Sequence, residues 1–365
     1  MTATGDSAAA GVIGVVGAGT MGAGIAQVAL EADHEVVLHD VDGAALERGR
    51  GRIVEGLRRR AAKLEFDADT ADEWVEGRLA RLRDAATLDA LGAEAGLELV
   101  IEAALEDLGL KQTIIRVLDA ATAPHTILAT NTSALPVSEL AAAAHRRERV
   151  LGLHFFNPAP VMALVEVVAA AETAPQHVQA AEALIRSWGK TPIRVADAPG
   201  FVVNRVNRPF TIEALRLLER GEAGIEVIDG AMRDAGFPMG PFELMDLTGI
   251  DVTLAAATSI WERLGRPERL RPSPIQEQLV GAGMRGRKDG VGFYRHEGNA
   301  RREPNPDVAG PAGSALAGAE IVRRIRGAIR REAELAEAER VAAREDIVLA
   351  LRLGAGHPVS PFEPA

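Results

Sequence analysis

The stretch Gly17-Ala18-Gly19-Thr20-Met21-Gly22 constrains this 365-residue chain more than any other. The apolar run Val12–Val16 leads into it, and an amphipathic pattern from Ile25 to Leu30 leads out, with Gly24 just beyond the turn. The order is strand, glycine turn, helix. Gly17 permits the tight turn, Gly19 lets a pyrophosphate approach the backbone because it lacks a Cβ, and Gly22 lets the helix pack close to the strand. The helix that opens at Thr20 and Met21 offers free N–H groups and a partial positive charge to the anion. A bare G-x-G-x-x-G is weak evidence. Here a second strand, Glu35–His39, ends at Asp40, at about the expected spacing for a carboxylate that binds an adenosine ribose. A carboxylate there repels a 2′-phosphate, which favours NAD over NADP.

Beyond Asp40 a long helical pattern, about 42–63, carries Arg58-Arg59-Arg60 and Lys63, and a second runs over 71–83. Together they predict a helical hairpin, about 42–84, inserted between the second and third strands. Taken alone, the basic cluster is a solvated helix face; it matters only if the ligand carries phosphates. The third strand, Leu97–Ile101, ends at Glu102 to Glu106, and a helix over 108–121 includes Lys111. The fourth, Thr126–Ala129, ends at Asn131-Thr132-Ser133, and the fifth, Arg149–Leu153, ends at His154. Strands alternating with helices predict a parallel, doubly wound sheet. Ligands of such sheets bind outside the carboxyl ends of the strands, where Asp40, Glu106, Ser133 and His154 all fall. The apolar run 161–168 holds a lone carboxylate, Glu166, and Thr191–Val195 is a last strand.

From Pro199-Gly200 helical patterns dominate, over 201–220, 224–235, 241–264 and 273–282, with Asn204 in the first turn. Pro209 should bend the first of these by freeing the carbonyl of Arg205. Residues 297–318 are rich in Gly, Pro, Ala and Asn and are expected to be a linker. The last segment repeats the helical part. Glu213-Ala214-Leu215 aligns with Glu332-Ala333-Glu334 at an offset of 332 − 213 = 119, and one inserted residue later Pro241-Phe242-Glu243 matches Pro361-Phe362-Glu363. Arg323 stands in the place of Asn204. The domains expected are 10–198, 199–296 and, after the linker, a partial repeat over 319–365. Its apolar stripe, for example Ile325, Ile329 and Leu335, must bury against something, and residues 200–296, within the chain or across a dimer, are the expected surface.

A net charge of −11 argues against nucleic acid as the main partner. The absence of cysteine excludes disulfides, zinc–thiolate sites and cysteine nucleophiles. No metal site is expected. Residues 1–10 lack a basic n-region and are not expected to be a signal peptide, and no apolar run reaches membrane-spanning length. A cytoplasmic protein is expected.

Oxidising an alcohol with a nicotinamide cofactor moves a hydride to the cofactor and a proton to a base, for which histidine is suited. His154 and Glu166 lie 166 − 154 = 12 positions apart, and a turn at Pro158 and Pro160 brings them together if the two runs pair. Spacing alone leaves a capped loop histidine and an edge-strand glutamate equally open. Ser133 and Asn204 are candidates to position the substrate oxygen; a helix-capping serine and a first-turn asparagine are the plainer alternatives.

These residues make the chain similar to the L-3-hydroxyacyl-CoA dehydrogenase family, including bacterial 3-hydroxybutyryl-CoA dehydrogenases, over about residues 11–296. The matching stretches are Gly17 to Gln27, Ile101-Glu102-Ala103, Asn131-Thr132-Ser133, His154-Phe155-Phe156-Asn157-Pro158, Leu164 to Val168, Pro199 to Arg205 and Gly240 to Glu243. The resemblance implies an α/β fold. A Rossmann-type doubly wound sheet with an inserted helical hairpin is followed by an all-α domain and, in longer members, by a second copy of it. It implies that His154 is the base, Glu166 its orienting partner, and Ser133 and Asn204 contacts to substrate oxygen. It places Glu106, Lys111 and Asn131 with the glycine loop and Asp40 near NAD, and Asn157 and Lys63 near the acyl-CoA. Gly56 stands where some members carry a serine that contacts coenzyme A. Short members pair their helical domains in a homodimer, and the same is expected here. The competing readings are a dehydrogenase of a free hydroxy or sugar acid on the same fold, and a non-catalytic NAD-binding protein.

Overall fold

The computed structural model describes residues 11–298, 300–308, 310 and 315–364, so the expectation for residues 1–10 falls outside them. The chain divides into two compact units between Asp197 and Ala198.

The first unit is built on eight strands: β1 (Val12–Val16), β2 (Glu35–His39), β3 (Leu82–Asp84), β4 (Leu97–Glu102), β5 (Ile127–Thr130), β6 (Val150–Phe155), β7 (Leu164–Ala169) and β8 (Thr191–Ala196). Their order in the sheet is β3-β2-β1-β4-β5-β6-β7-β8. Its helices are α1 (Thr20–Glu31), α2 (Gly43–Lys63), α3 (Ala68–Leu79), α4 (Leu88–Gly92), α5 (Leu108–Ala121), α6 (Val137–Ala141) and α7 (Pro175–Ser187). Central strands are apolar along their whole length because both faces are covered, and two separate clusters of buried side chains form around them.

Two expectations need correction. The sheet is not wholly parallel: β6 and β7 run antiparallel. A parallel return needs a crossover of a dozen or more residues, and the connection over 156–163 with its two prolines is too short for one. The pattern over 71–83 is also not all helix, since α3 stops at Leu79 and the chain joins the sheet edge as β3. Only Leu82 of β3 is buried, so three residues carry too little alternation to be read as a strand. Arg83 pairs with Glu35 and Glu94, which keeps this edge charged.

The second unit holds α8 (Val203–Val206), α9 (Arg208–Glu219), α10 (Ile225–Asp234), α11 (Pro241–Thr248), α12 (Ile250–Arg263) and α13 (Pro274–Gly281). A hairpin of β9 (Tyr294–Glu297) and β10 (Ala300–Pro304) follows, then α14 (Gly318–Ala338) and α15 (Arg344–Ala355). The break at Asn207 fits the bend expected from Pro209. The pattern over 241–264 is two helices rather than one, because Gly249 takes φ = 103°, which ends α11. The segment expected to be a linker begins with the β9–β10 hairpin.

The tail docks within its own unit. Ile321, Ile325, Ile329, Ala333 and Ala336 are buried along α14, while Leu335 is only half-buried. The contacts are reciprocal. Arg205 Nε donates to Glu332 Oε1 at 2.8 Å, and at the 119-residue offset Arg324 Nη2 meets Glu213 Oε1 at 3.2 Å. One residue further out of step, a Cβ on Gly236 would meet Pro358 at 3.2 Å and a Cβ on Gly356 would meet Pro238 at 2.9 Å. Phe237 and its counterpart His357 face each other with ring centroids 5.0 Å apart. Residue i touching j′ while j touches i′ is the signature of a two-fold relation between copies of one motif. Burial pushes the His357 imidazole down to about 4, so it docks neutral, with Nε2 against Asn207 Oδ1 at 2.8 Å.

Glu332 also accepts from Arg269 Nε at 2.7 Å and is itself buried, as is Arg205. Removing the shared carboxylate leaves a buried guanidinium short of charge. Glu332→Ala should therefore lower unfolding stability by about 3 kcal/mol in a urea titration; a change within 0.5 kcal/mol, the ~0.5 kcal/mol range of ordinary surface substitutions, would contradict the docking described.

Candidate active site

The glycine turn has the geometry that its residue types predict. Gly17 takes φ = 96°, and a Cβ there would lie 2.7 Å from Ala103 O. A Cβ on Gly22 would sit 1.8 Å from Gly17 O, so only glycine closes the turn onto α1. Around Gly19 the opposite holds: a Cβ would meet nothing within 4 Å. That open side lies at the N-terminus of α1, where Gly19 is the cap and no side chain satisfies the first N–H groups. The residues thus fit a dinucleotide pyrophosphate, held by backbone N–H groups around Gly19, Thr20, Met21 and Gly22. Asp40, half-buried after β2, accepts from Ala18 N at 2.8 Å through Oδ2 and from Asp42 N at 3.0 Å through Oδ1. The carboxylate braces the loop, and each oxygen keeps a further lone pair for a ribose hydroxyl.

Beneath the strand ends lies a buried pair of which sequence reasoning recognised only half. Glu102, fully buried at the end of β4, receives Lys111 Nζ at 2.7 and 2.9 Å, Ala104 N at 2.6 Å and Thr130 Oγ1 at 2.7 Å. Lys111 is 1% exposed and braces the strand end. The available signal was a carboxylate closing an apolar strand nine residues before a lysine at the first turn of a helix. Above this pair Glu106 Oε1 accepts from Thr132 Oγ1 at 2.6 Å, Ser133 N at 2.9 Å and Ala134 N at 3.1 Å. Burial pushes the Glu106 carboxyl up, but these hydrogen bonds and the Lys111 charge outweigh it and hold it below the usual range. Ser133 is exposed beside it, after β5. Asn131 Oδ1 accepts from Phe155 N at 2.8 Å and ties the end of β5 to the end of β6.

The antiparallel register sets His154 directly opposite Glu166. Nδ1 of His154 donates to Glu166 Oε2 at 2.6 Å, with Glu166 fully buried and His154 6% exposed. A charged acceptor at Nδ1 fixes the tautomer that carries its basic lone pair on Nε2, and it stabilises the ring once protonated. Phe156 packs on the imidazole, ring centroids 4.5 Å apart. Neither plainer alternative survives: the histidine is not in a loop, and the glutamate has no wet face.

Asn157 is exposed just after β6. On the inserted hairpin Arg58 and Lys63 are exposed, while Arg59 and Arg60 are engaged by Glu55 and Glu31. Gly56 is buried, and a Cβ there would lie 2.0 Å from Oε1 at the tip of the Gln27 side chain. Asn204 belongs to the second unit, within α8, half-buried.

A glycine loop at a helix N-terminus, a carboxylate after the second strand and a His–Glu pair at the same sheet edge are the parts of an NAD-dependent oxidoreductase. Residues 12–198 match the family model of the 3-hydroxyacyl-CoA dehydrogenase NAD binding domain, and residues 200–296 match that of the C-terminal domain. The chain belongs to the 3-hydroxyacyl-CoA dehydrogenase family. A protein of Escherichia coli K12 named 3-hydroxyadipyl-CoA dehydrogenase is 45% identical over 283 residues, 77% of this chain but only 58% of its own length. The mitochondrial hydroxyacyl-coenzyme A dehydrogenase of Sus scrofa is 42% identical over 286 residues, 78% of this chain and 90% of its own. The crystal structure of 3-hydroxybutyryl-CoA dehydrogenase from Escherichia coli K12 superposes with a TM-score of 0.84 at 34% identity, covering 97% of this chain and 90% of that one. Its coverage takes in the tail that the family models leave unmatched.

Asp40 is the residue expected to set the choice of cofactor. Asp40→Ser should lower the NAD-to-NADP ratio of kcat/KM by about tenfold or more, the scale of one lost charge-assisted contact. Comparable use of NADP by the unaltered enzyme would contradict this role.

Proposed function

We propose that this protein oxidises the 3-hydroxyl of an L-3-hydroxyacyl-CoA to the 3-ketoacyl-CoA, reversibly. The observation that carries the proposal is the buried His154–Glu166 pair, opposed across β6 and β7 at the edge where Asp40 and the glycine loop also lie. NAD, when bound, supplies the hydride acceptor. His154 takes the hydroxyl proton at Nε2 in oxidation and returns it in reduction. Glu166 holds the ring and offsets its positive charge. Ser133 and Asn204 hold the substrate oxygen, Asn157 lies along the acyl-CoA, and Glu106 and Asn131 keep the strand ends at the cofactor in register. Lys63, with Arg58, meets phosphates of coenzyme A, which supplies the anion that an exposed basic helix face otherwise lacks.

Two further proposals concern the whole molecule. The homodimer expected from the family uses a helical-domain face that α14 and α15 fill here. The tail therefore governs assembly: docked on its own chain it closes that face, and its removal opens the face to a second copy. The compartment proposed is the cytoplasm, which a chain without cysteine suits. Among the described residues no helix is long and apolar enough to cross a membrane.

The experiment is a substrate panel followed by NADH absorbance. NADH should form from L-3-hydroxybutyryl-CoA and be consumed with acetoacetyl-CoA, with free 3-hydroxybutyrate slower by at least about a thousandfold, because binding energy from the CoA moiety is used at the reacting centre. Faster turnover of a free hydroxy or sugar acid would overturn the acyl-CoA reading.

A further inference from the structure

The connection over 156–163 turns the chain back as β7, and it also carries Phe156, whose ring packs on the His154 imidazole with centroids 4.5 Å apart. Its own backbone has few means of holding a shape, because Pro158 and Pro160 have no N–H to donate. Val161 N and Met162 N both donate to Pro158 O, at 2.9 and 3.0 Å, which closes one local turn. Further donors come from the start of β8. Thr191 N donates to Ala163 O at 2.7 Å. One residue earlier, Lys190 Nζ donates to Ala159 O at 2.7 Å and to Met162 O at 2.8 Å, so a single side chain ties the two ends of the arc 159–162. From the other side α1 comes so close that a Cβ on Gly24 would lie 3.2 Å from Pro160 Cδ and 3.3 Å from Ala159 Cβ.

We propose that Lys190 is a positioning residue of the dehydrogenase: by clamping the arc after β6 it keeps Phe156 against the imidazole of His154, and so acts on turnover rather than on binding. The inference rests on the reading of His154 as the base. Ala159 is buried, so water is poorly placed to replace the donor to its carbonyl, and an unpaired covered carbonyl is costly. A charged donor makes the stronger kind of hydrogen bond, which suits one side chain holding two acceptors. The competing role for a half-buried lysine near the inserted hairpin is a contact to a phosphate of coenzyme A. Two of its three N–H donors already serve the backbone. Burial pushes the ammonium down; the Glu31 carboxylate opposes that shift and Arg60 adds to it, so the nearest charges are one of each sign.

Lys190→Met keeps an unbranched stem and removes the donors. With L-3-hydroxybutyryl-CoA and NAD its kcat should fall by about tenfold or more, within the roughly hundredfold that a 1 Å misplacement can cost. KM for the acyl-CoA and the NADH dissociation constant should stay within about threefold, since no contact to either is lost. Lys190→Cys should show the same loss. The chain has no cysteine of its own, so the thiol introduced is unique and can be aminoethylated with 2-bromoethylamine, which rebuilds an amine at the length of lysine. Aminoethylation, confirmed by intact mass, should return most of kcat, whereas methylthiolation, which adds no donor, should not. Unchanged kcat in a folded Lys190→Met protein overturns the proposal, whatever its melting temperature. A raised KM for the acyl-CoA at unchanged kcat assigns Lys190 to substrate binding and overturns it too, as does aminoethylation that restores nothing. Gly24→Ala presses a methyl onto the same arc from α1 and carries the test if neither Lys190 variant folds: kcat should fall with NADH binding kept, and an unchanged kcat overturns the proposal. Absence of NADH formation by the unaltered enzyme, or near-normal turnover in His154→Ala, overturns the dehydrogenase reading or its base instead.

Discussion

The site depends on one strand pairing. β6 ends at the ligand edge like every parallel strand before it, but a connection of two prolines turns the chain back as β7, antiparallel, in the register that opposes His154 to Glu166. A single-residue slip would turn one side chain of the pair to the other face of the sheet. The register is pinned because Leu153, Phe155, Val165 and Val167, the neighbours of the pair, are all buried in the same core cluster. The apolar sheet interior therefore fixes a polar contact of 2.6 Å. The same interior excludes water from Glu166, which raises the worth of its charge to the imidazole and makes the loss of either partner expensive.

A second theme is the pairing of buried charge in each unit. Glu102 and Lys111 satisfy each other beneath the strand ends, with Thr130 and Ala104 N completing the carboxylate. Arg205 and Glu332 do the same between α8 and α14. These pairs order the backbone on which Glu106, Ser133 and Asn204 sit.

Much of this was legible in the amino-acid order. Glycine positions encode steric demands directly, so the roles of Gly17, Gly19 and Gly22 could be assigned before any coordinates and match the contacts around them. Apolar runs located every central strand, and period-3.6 patterns most helices. The direction of β7 was not legible from the strand itself, since an apolar strand reads alike in both senses; only the length of its connection decides it. β3 was missed because three residues with one buried side chain carry no period. The break at Gly249 was missed because an apolar stripe continues across it. Glu102 went unassigned because it was read as a strand end, so its pairing with Lys111 was not foreseen.

The measurement that bears most directly on the account is the pair of turnover and cofactor affinity in His154→Ala. The account gives His154 the proton and the glycine loop with Asp40 the cofactor. The variant should therefore lose roughly two to four orders of magnitude in kcat, the range for removal of a general base, while its NADH dissociation constant by fluorescence titration stays within about twofold, well under the tenfold that 1.4 kcal/mol of lost contact would give. Near-normal turnover in a folded His154→Ala protein, or a loss of NADH binding that parallels the loss of turnover, would contradict the division of labour between the dyad and the loop.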